Sequence, residues 1–184
     1  GVDHSRGLDQ LTLQGDIFYL ADGNTLNSTG LGLEPNLDSR IRGHQEGANI
    51  RFRWDRTFSE HSSIMFHTYY DRITTHIPPI GKTAAESFDA DFQHRFPLFD
   101  RHHVTWGGNY RLYHNKVHDT SYITFDPRAQ TNHVGGAFVR DDITLLPEIL
   151  QFTPGSRFEH NEFAGWEIQP NARVLWTPNT ETSI

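Results

Sequence analysis

The chain of 184 residues has no cysteine and a single methionine. Without thiols there are no disulfides, no thiolate metal sites and no cysteine nucleophile, and the redox compartment is left open. Long apolar runs are missing as well. Nothing approaches the roughly 18 consecutive apolar residues of a membrane-spanning helix, so that way of crossing a bilayer is excluded. Positive charge is scarce: 16 Lys and Arg stand against 23 Asp and Glu, a formal net charge of −7. No basic stripe exists to neutralise phosphates, which argues against a nucleic-acid partner. The start, Gly1-Val2-Asp3-His4, shows no basic segment followed by an apolar core. Either there was no signal peptide or the chain begins downstream of one.

What the chain does have is aromatic side chains, 13 Phe, 6 Tyr and 4 Trp, within a hydrophobic content of only 35%. Disordered chains are poor in aromatics, so disorder is disfavoured. The length suits one domain. Helical periodicity is nearly absent, and two-residue alternation recurs instead in eight segments, at about 9–20, 46–58, 62–74, 85–96, 102–115, 131–145, 148–160 and 165–177. A ninth is expected to begin at Thr182-Ser183-Ile184. In the second segment Ile50, Phe52 and Trp54 share one face while Arg51, Arg53 and Asp55 share the other. The fourth sets Phe88, Ala90 and Phe92 against Asp89, Asp91 and Gln93. The eighth sets Ile168, Ala172, Val174 and Trp176 against Gln169, Asn171 and Arg173. The sixth, Val134-Gly135-Gly136-Ala137-Phe138-Val139, is ambiguous.

A soluble β-sandwich also alternates, so a carbohydrate- or ligand-binding sandwich module is the alternative reading. Three features favour a lipid-facing barrel. The segments are longer than the five or six residues usual in globular sheets and suit a tilted transmembrane strand of about 9–11 residues. Short turns (Ser59-Glu60-His61, Asp100-Arg101, Pro147-Glu148, Asn179-Thr180) alternate with longer polar connections at about 21–45, 75–84 and 116–130 and a compact one at 161–164. Aromatics such as Phe58, Tyr69, Tyr70, Phe96, Phe99, Phe158, Trp166 and Trp176 gather near segment ends, as interface girdles do. The polar face is too charged to be packed dry and needs a wet lumen. The expected fold is all-β, an antiparallel up-and-down meander of about eight long strands forming part of a transmembrane barrel.

Leu11-Thr12-Leu13-Gln14-Gly15-Asp16, Phe52-Arg53-Trp54-Asp55-Arg56-Thr57-Phe58, Tyr69-Tyr70-Asp71-Arg72 and Asp91-Phe92-Gln93-His94-Arg95-Phe96 follow one another in order. The C-terminal third adds Ala137-Phe138-Val139-Arg140-Asp141-Asp142-Ile143, Gly155-Ser156-Arg157-Phe158-Glu159-His160-Asn161 and the run from Gln169 to Asn179. In this order and spacing the chain, over nearly its whole length 1–184, resembles the barrel of a TonB-dependent outer-membrane receptor. The resemblance implies a stretch of barrel wall lacking the plug, from a parent in the outer membrane of a Gram-negative bacterium. That parent would import a scarce nutrient such as an iron–siderophore complex with energy relayed by TonB. The partners it implies are outer-membrane lipid, TonB and the plug in the intact receptor, and a small-molecule ligand.

Chemistry-bearing clusters are few. His102 and His103 are adjacent and point to opposite faces of a strand, while His114 and His118 straddle a strand end and a loop. No zinc spacing accompanies them, so no metal site is expected. Gly155-Ser156-Arg157 lacks the strand-to-helix turn of a nucleophile elbow, and Asp141-Asp142 point apart. Gly107-Gly108 and Gly135-Gly136 lack the helix of a phosphate loop. Neither enzymatic activity nor a cofactor is expected. The inward polar ladder is the candidate site. Tyr69 and Asp71 on the third segment, with Arg111 and Tyr113 on the fifth, would face the outer mouth and meet an anionic or catecholate ligand, or else simply hydrate the lumen or touch the plug. Unpaired edges near 9–20 and 165–177, and the apolar face, imply that the isolated chain self-associates.

Overall fold

The computed structural model describes residues 1–25, 40–77, 81–119 and 124–178. They form nine strands: β1 Val2–Arg6, β2 Asp9–Thr25, β3 Arg40–Ser59, β4 Ser62–Ile77, β5 Gly81–Leu98, β6 His102–His118, β7 Ala129–Leu146, β8 Leu150–Asn161 and β9 Gly165–Trp176. Each pairs antiparallel with the next in one sheet ordered β1 to β9, and no helix occurs among the described residues. The expected all-β meander is present. The alternative sandwich needs a second sheet packed on the first, and the described strands make only one.

Two expectations change. A short strand, β1, precedes the eight and pairs with the start of β2 from Val2↔Leu13 to Arg6↔Asp9. Gly7, at φ 62°, makes the tight turn between them, a backbone conformation that costs glycine nothing. The N-terminal edge is therefore β1 plus the part of β2 beyond Leu13, not the whole of 9–20. The strands also run further than supposed: 21–25, 40–45, 75–77, 81–84, 116–118 and 129–130 are strand, not loop. Pairing hydrogen bonds continue past the stretch that alternates apolar with polar, and this lengthens β3 to 20 residues. The segment beginning at Thr182 lies outside the described residues.

Register fixes the two faces. Residues paired across an antiparallel ladder share a face, so one rung can be followed across the sheet. Leu11, Trp54, Phe66, Phe92, Gly108, Ala137, Phe158 and Ile168 form such a rung on the apolar face. Gln14, Arg51, Tyr69, Asp89, Arg111, Val134 and Asn161 form one on the polar face. The ambiguous segment resolves with Val134, Gly136 and Phe138 on the polar face.

Among the described residues no second layer covers either face. No large side chain among the described residues is fully buried, and Ile17 (89% exposed), Trp166 (76%) and Ile168 (67%) stand open on the apolar face. The accessible surface, 13108 Å², compares with roughly 9,000 Å² for a compact monomer of this mass. A wall of this kind takes its stability from ladder hydrogen bonds and from whatever apolar medium covers its greasy side.

Candidate ligand-facing wall

At one end of the sheet the strands turn in two or three residues, at Gly7-Leu8, Glu60-His61, Phe99–Arg101 and Pro147–Ile149. At the other end the connections take residues 26–39, 78–80, 119–128 and 162–164. The four sequence-predicted residues lie on the polar face between these ends. Tyr69 and Asp71 are on β4 and Arg111 and Tyr113 on β6, with β5 between them. Tyr69 shares its rung with Asp89 and Arg111, and Asp71 shares the next with Ser87 and Tyr113. Alternation in β4 and β6 puts all four on one face, and the register brings them into two adjacent rungs, with β4 and β6 about 10 Å apart. They sit at mid-height and not toward the outer mouth as expected, since Tyr69 is eighth of the 16 residues of β4. Strand continuing beyond it to Ile77 adds about 27 Å toward the loop end.

Register also supplies residues that alternation alone could not. Arg111 Nε donates to Asp89 Oδ2, so its cation is already compensated by the strand in between. The Arg51 guanidinium lies 5.8 Å from the Tyr69 ring centroid, a cation–π arrangement. Arg51 and Asp89 both lay on the polar face by alternation, but nothing in the sequence said which rung each joins.

Toward the short-turn end the face becomes a lattice of paired charges. Arg53 donates to Asp55 at 2.6 and 2.9 Å. Arg157 donates to Glu159 at 2.9 and 3.1 Å, and to Asn109 at 3.3 Å. His67 stands 3.8 Å from Asp91. All of these but Asp55, with Arg51, Arg111, Val134 and Phe138, line an open cleft of about 670 Å³. Such half-exposed pairs contribute at most about 1 kcal/mol each to stability; their effect is to hold a hydrated, charge-balanced wall in fixed geometry. Toward the loop end the same face loses its charge. Beyond the Asp71 rung, β3 to β7 present Gly47, Gln45, Ile73, Thr75, Ala85, Thr83, Asn115, Val117 and Gln130. Gln45 donates to Thr75 Oγ1 at 3.3 Å there.

The remaining clusters are structural. His102, on the apolar face, lies 2.6 Å from Asp141, while His103 faces the other way, paired in register with Asp142. Asp142 in turn accepts from Thr153 at 2.9 Å. The two aspartates do point apart. His114 and His118 both lie within β6 and not across a strand–loop boundary. Among the described residues no three His, Asp or Glu side chains converge as metal ligands would.

The geometry is matched by similarity. The chain covers 95% of its own length on the siderophore receptor PirA of Pseudomonas aeruginosa, with TM-score 0.66 and 14% identity, and spans 28% of that chain. A variant of the ferric enterobactin receptor PfeA from the same organism superposes with TM-score 0.61 at 13% identity over 95% of this chain and 31% of that one. PirA of Acinetobacter baumannii gives TM-score 0.65 at 10% identity over 96% and 30%. At these identities the likeness is one of fold. The chain spans less than a third of each structure. A search of curated protein sequences finds no match. Residues 2–184 match the model of the TonB dependent receptor-like β-barrel family, and the chain belongs to that family.

Proposed function

We propose that residues 1–184 are one continuous stretch of the barrel wall of a receptor for energised uptake of a scarce nutrient, an iron–siderophore complex being the ligand class. The observation that carries this is the two-faced single sheet: an uninterrupted apolar rung across eight strands, backed by a hydrated, charge-paired face. A wall of that kind suits lipid on one side and a wet lumen on the other. In the intact receptor the paired charges from Arg53 to Glu159 would face the plug, and TonB would supply the energy. Localisation in a Gram-negative outer membrane follows from the same reading.

Within this wall, Tyr69, Asp71, Arg111 and Tyr113 make up the ligand-contacting step between the charged and uncharged zones, with Arg51 added to them. An aromatic ring backed by a cation is a suitable surface for an anionic or catecholate chelate. Taken alone, the chain would self-associate, because β9 and most of β2 carry unpaired edges and the apolar face is open. The test is uptake of a radiolabelled ferric siderophore by cells carrying the intact receptor. Uptake that is lost on deletion of TonB supports the proposal, and uptake unchanged by that deletion contradicts it.

A further inference from the structure

The apolar face changes character toward the loop end. Its last apolar rung there on β4 to β6 is Tyr70, Phe88 and Leu112, and the next is Arg72, Glu86 and His114. Lys116 stands one rung further, and His76, Lys82 and His118 form the rung after that. Lys82 and Lys116 are the only lysines in the chain, and both are exposed. The one carboxylate on these rungs of β4 to β6, Glu86, is taken up by Arg72 at 3.5 Å. The next strand adds Glu46 beside Thr74 and His44, edge-on to the His76 ring at 5.1 Å. On the polar face Arg53, Arg111 and Arg157 each have a carboxylate partner. Here basic groups outnumber acidic ones, in a chain whose net charge is −7.

We propose that this rim binds the phosphate groups of lipid headgroups in the leaflet at the loop end, a site that rests on the apolar face lying in a bilayer. Geometry selects the occupant. A lipid whose acyl chains lie along Phe88 and Leu112 carries its headgroup one rung on, about 7 Å further along the strand. That is where Arg72 begins the basic surface. Arginine forks onto phosphate oxygens and lysine meets them as a mobile point charge, and their aliphatic stems can lie on the apolar band below. A metal is disfavoured, because of the rim histidines only His44 and His76 are close and no third ligand joins them among the described residues.

The test uses the intact receptor in non-ionic detergent, with diphosphorylated lipid A and the same lipid stripped of both phosphates, read by native mass spectrometry. The diphosphorylated lipid should be retained preferentially, and less so as salt rises. Lys82→Gln and Lys116→Gln should each weaken retention about fivefold, and Arg72→Gln less, because its guanidinium already pairs with Glu86. Arg51→Gln and Arg53→Gln, which make the same charge change on the polar face, should leave it unaltered. Equal retention of the two lipids, or rim variants that bind as the parent does, would overturn the headgroup site. Retention of neither lipid also overturns it. A lipid-buried label at Phe92→Cys in the same protein then shows the membrane placement standing without the site.

Discussion

Phe138 on β7 lies across Gly107 on β6, its partner in register. A Cβ added at Gly107 would collide with the Phe92 carbonyl oxygen and come within 2.8 Å of Phe138 Cε1 and 3.0 Å of Cζ. The ring fills the space a side chain would occupy and shields the glycine backbone, which is buried in a sheet where almost nothing else is. Phe18 lies over Gly47 on β3 in the same way, 2.6 Å from a Cβ built there. Aromatic rings covering cross-strand glycines pin register, because a slip of one residue sends the ring to the other face.

Gly107→Ala should therefore destabilise the folded receptor by about 1–3 kcal/mol, the usual cost of overpacking. Gly135→Ala should stay within about 0.5 kcal/mol, because the nearest atom to its Cβ, Tyr110 Cδ2, is an ordinary 3.9 Å away. Urea unfolding of the receptor in lipid vesicles checks this. Equal effects at the two glycines would remove the packing argument.

Arg51 and Arg111 look equivalent in sequence, but their partners differ. Arg111 is neutralised by Asp89, whereas Arg51 faces an aromatic ring. For a trianionic ferric tris-catecholate, Arg51→Gln should weaken binding to the intact receptor about tenfold, the effect of one charge-assisted contact of 1.5 kcal/mol or so. Arg111→Gln should weaken it no more than about threefold. Titration with the chelate on both variants decides, and the reverse order would mean that Asp89 does not hold Arg111 in the bound state.

The isolated chain should not be monomeric in water. Its open edges and exposed Ile17, Trp166 and Ile168 exceed what a soluble monomer carries. Light scattering should report species well above 21.2 kDa, collapsing toward smaller ones as detergent covers the apolar face. A strictly monomeric, detergent-free solution at high concentration would show that the faces close on themselves.

The faces of the strands were legible because period two is a local property: Ile50, Phe52 and Trp54 separate from Arg51, Arg53 and Asp55 without knowledge of any neighbour. Strand β1 escaped because Val2 is its only apolar residue. Strands were drawn too short, with β4 ending at 74 and β5 starting at 85, because backbone pairing outlasts the apolar–polar alternation. Register is a non-local property. Alternation says that Arg51, Tyr69, Asp89 and Arg111 share a face, but only the ladder says that they share a rung. Hence the four predicted residues were placed on the right face and their immediate partners were missed. Phe138 was unreadable for a related reason, since the paired glycines around it blur both faces.

Residues 1–184 contain no cysteine, so single cysteines can be placed in this wall once any elsewhere in the receptor are replaced. Spin labels at Phe66→Cys, Phe92→Cys and Phe158→Cys, and at His67→Cys, Asp91→Cys and Glu159→Cys, sample adjacent positions on three strands of the intact receptor in vesicles. Collision with dissolved oxygen reads lipid, and collision with a water-soluble nickel chelate reads solvent. A membrane-spanning wall requires oxygen to dominate at the three phenylalanine positions and nickel at the three polar ones, alternating residue by residue. Equal nickel accessibility on both faces would mean that this sheet does not stand in a bilayer.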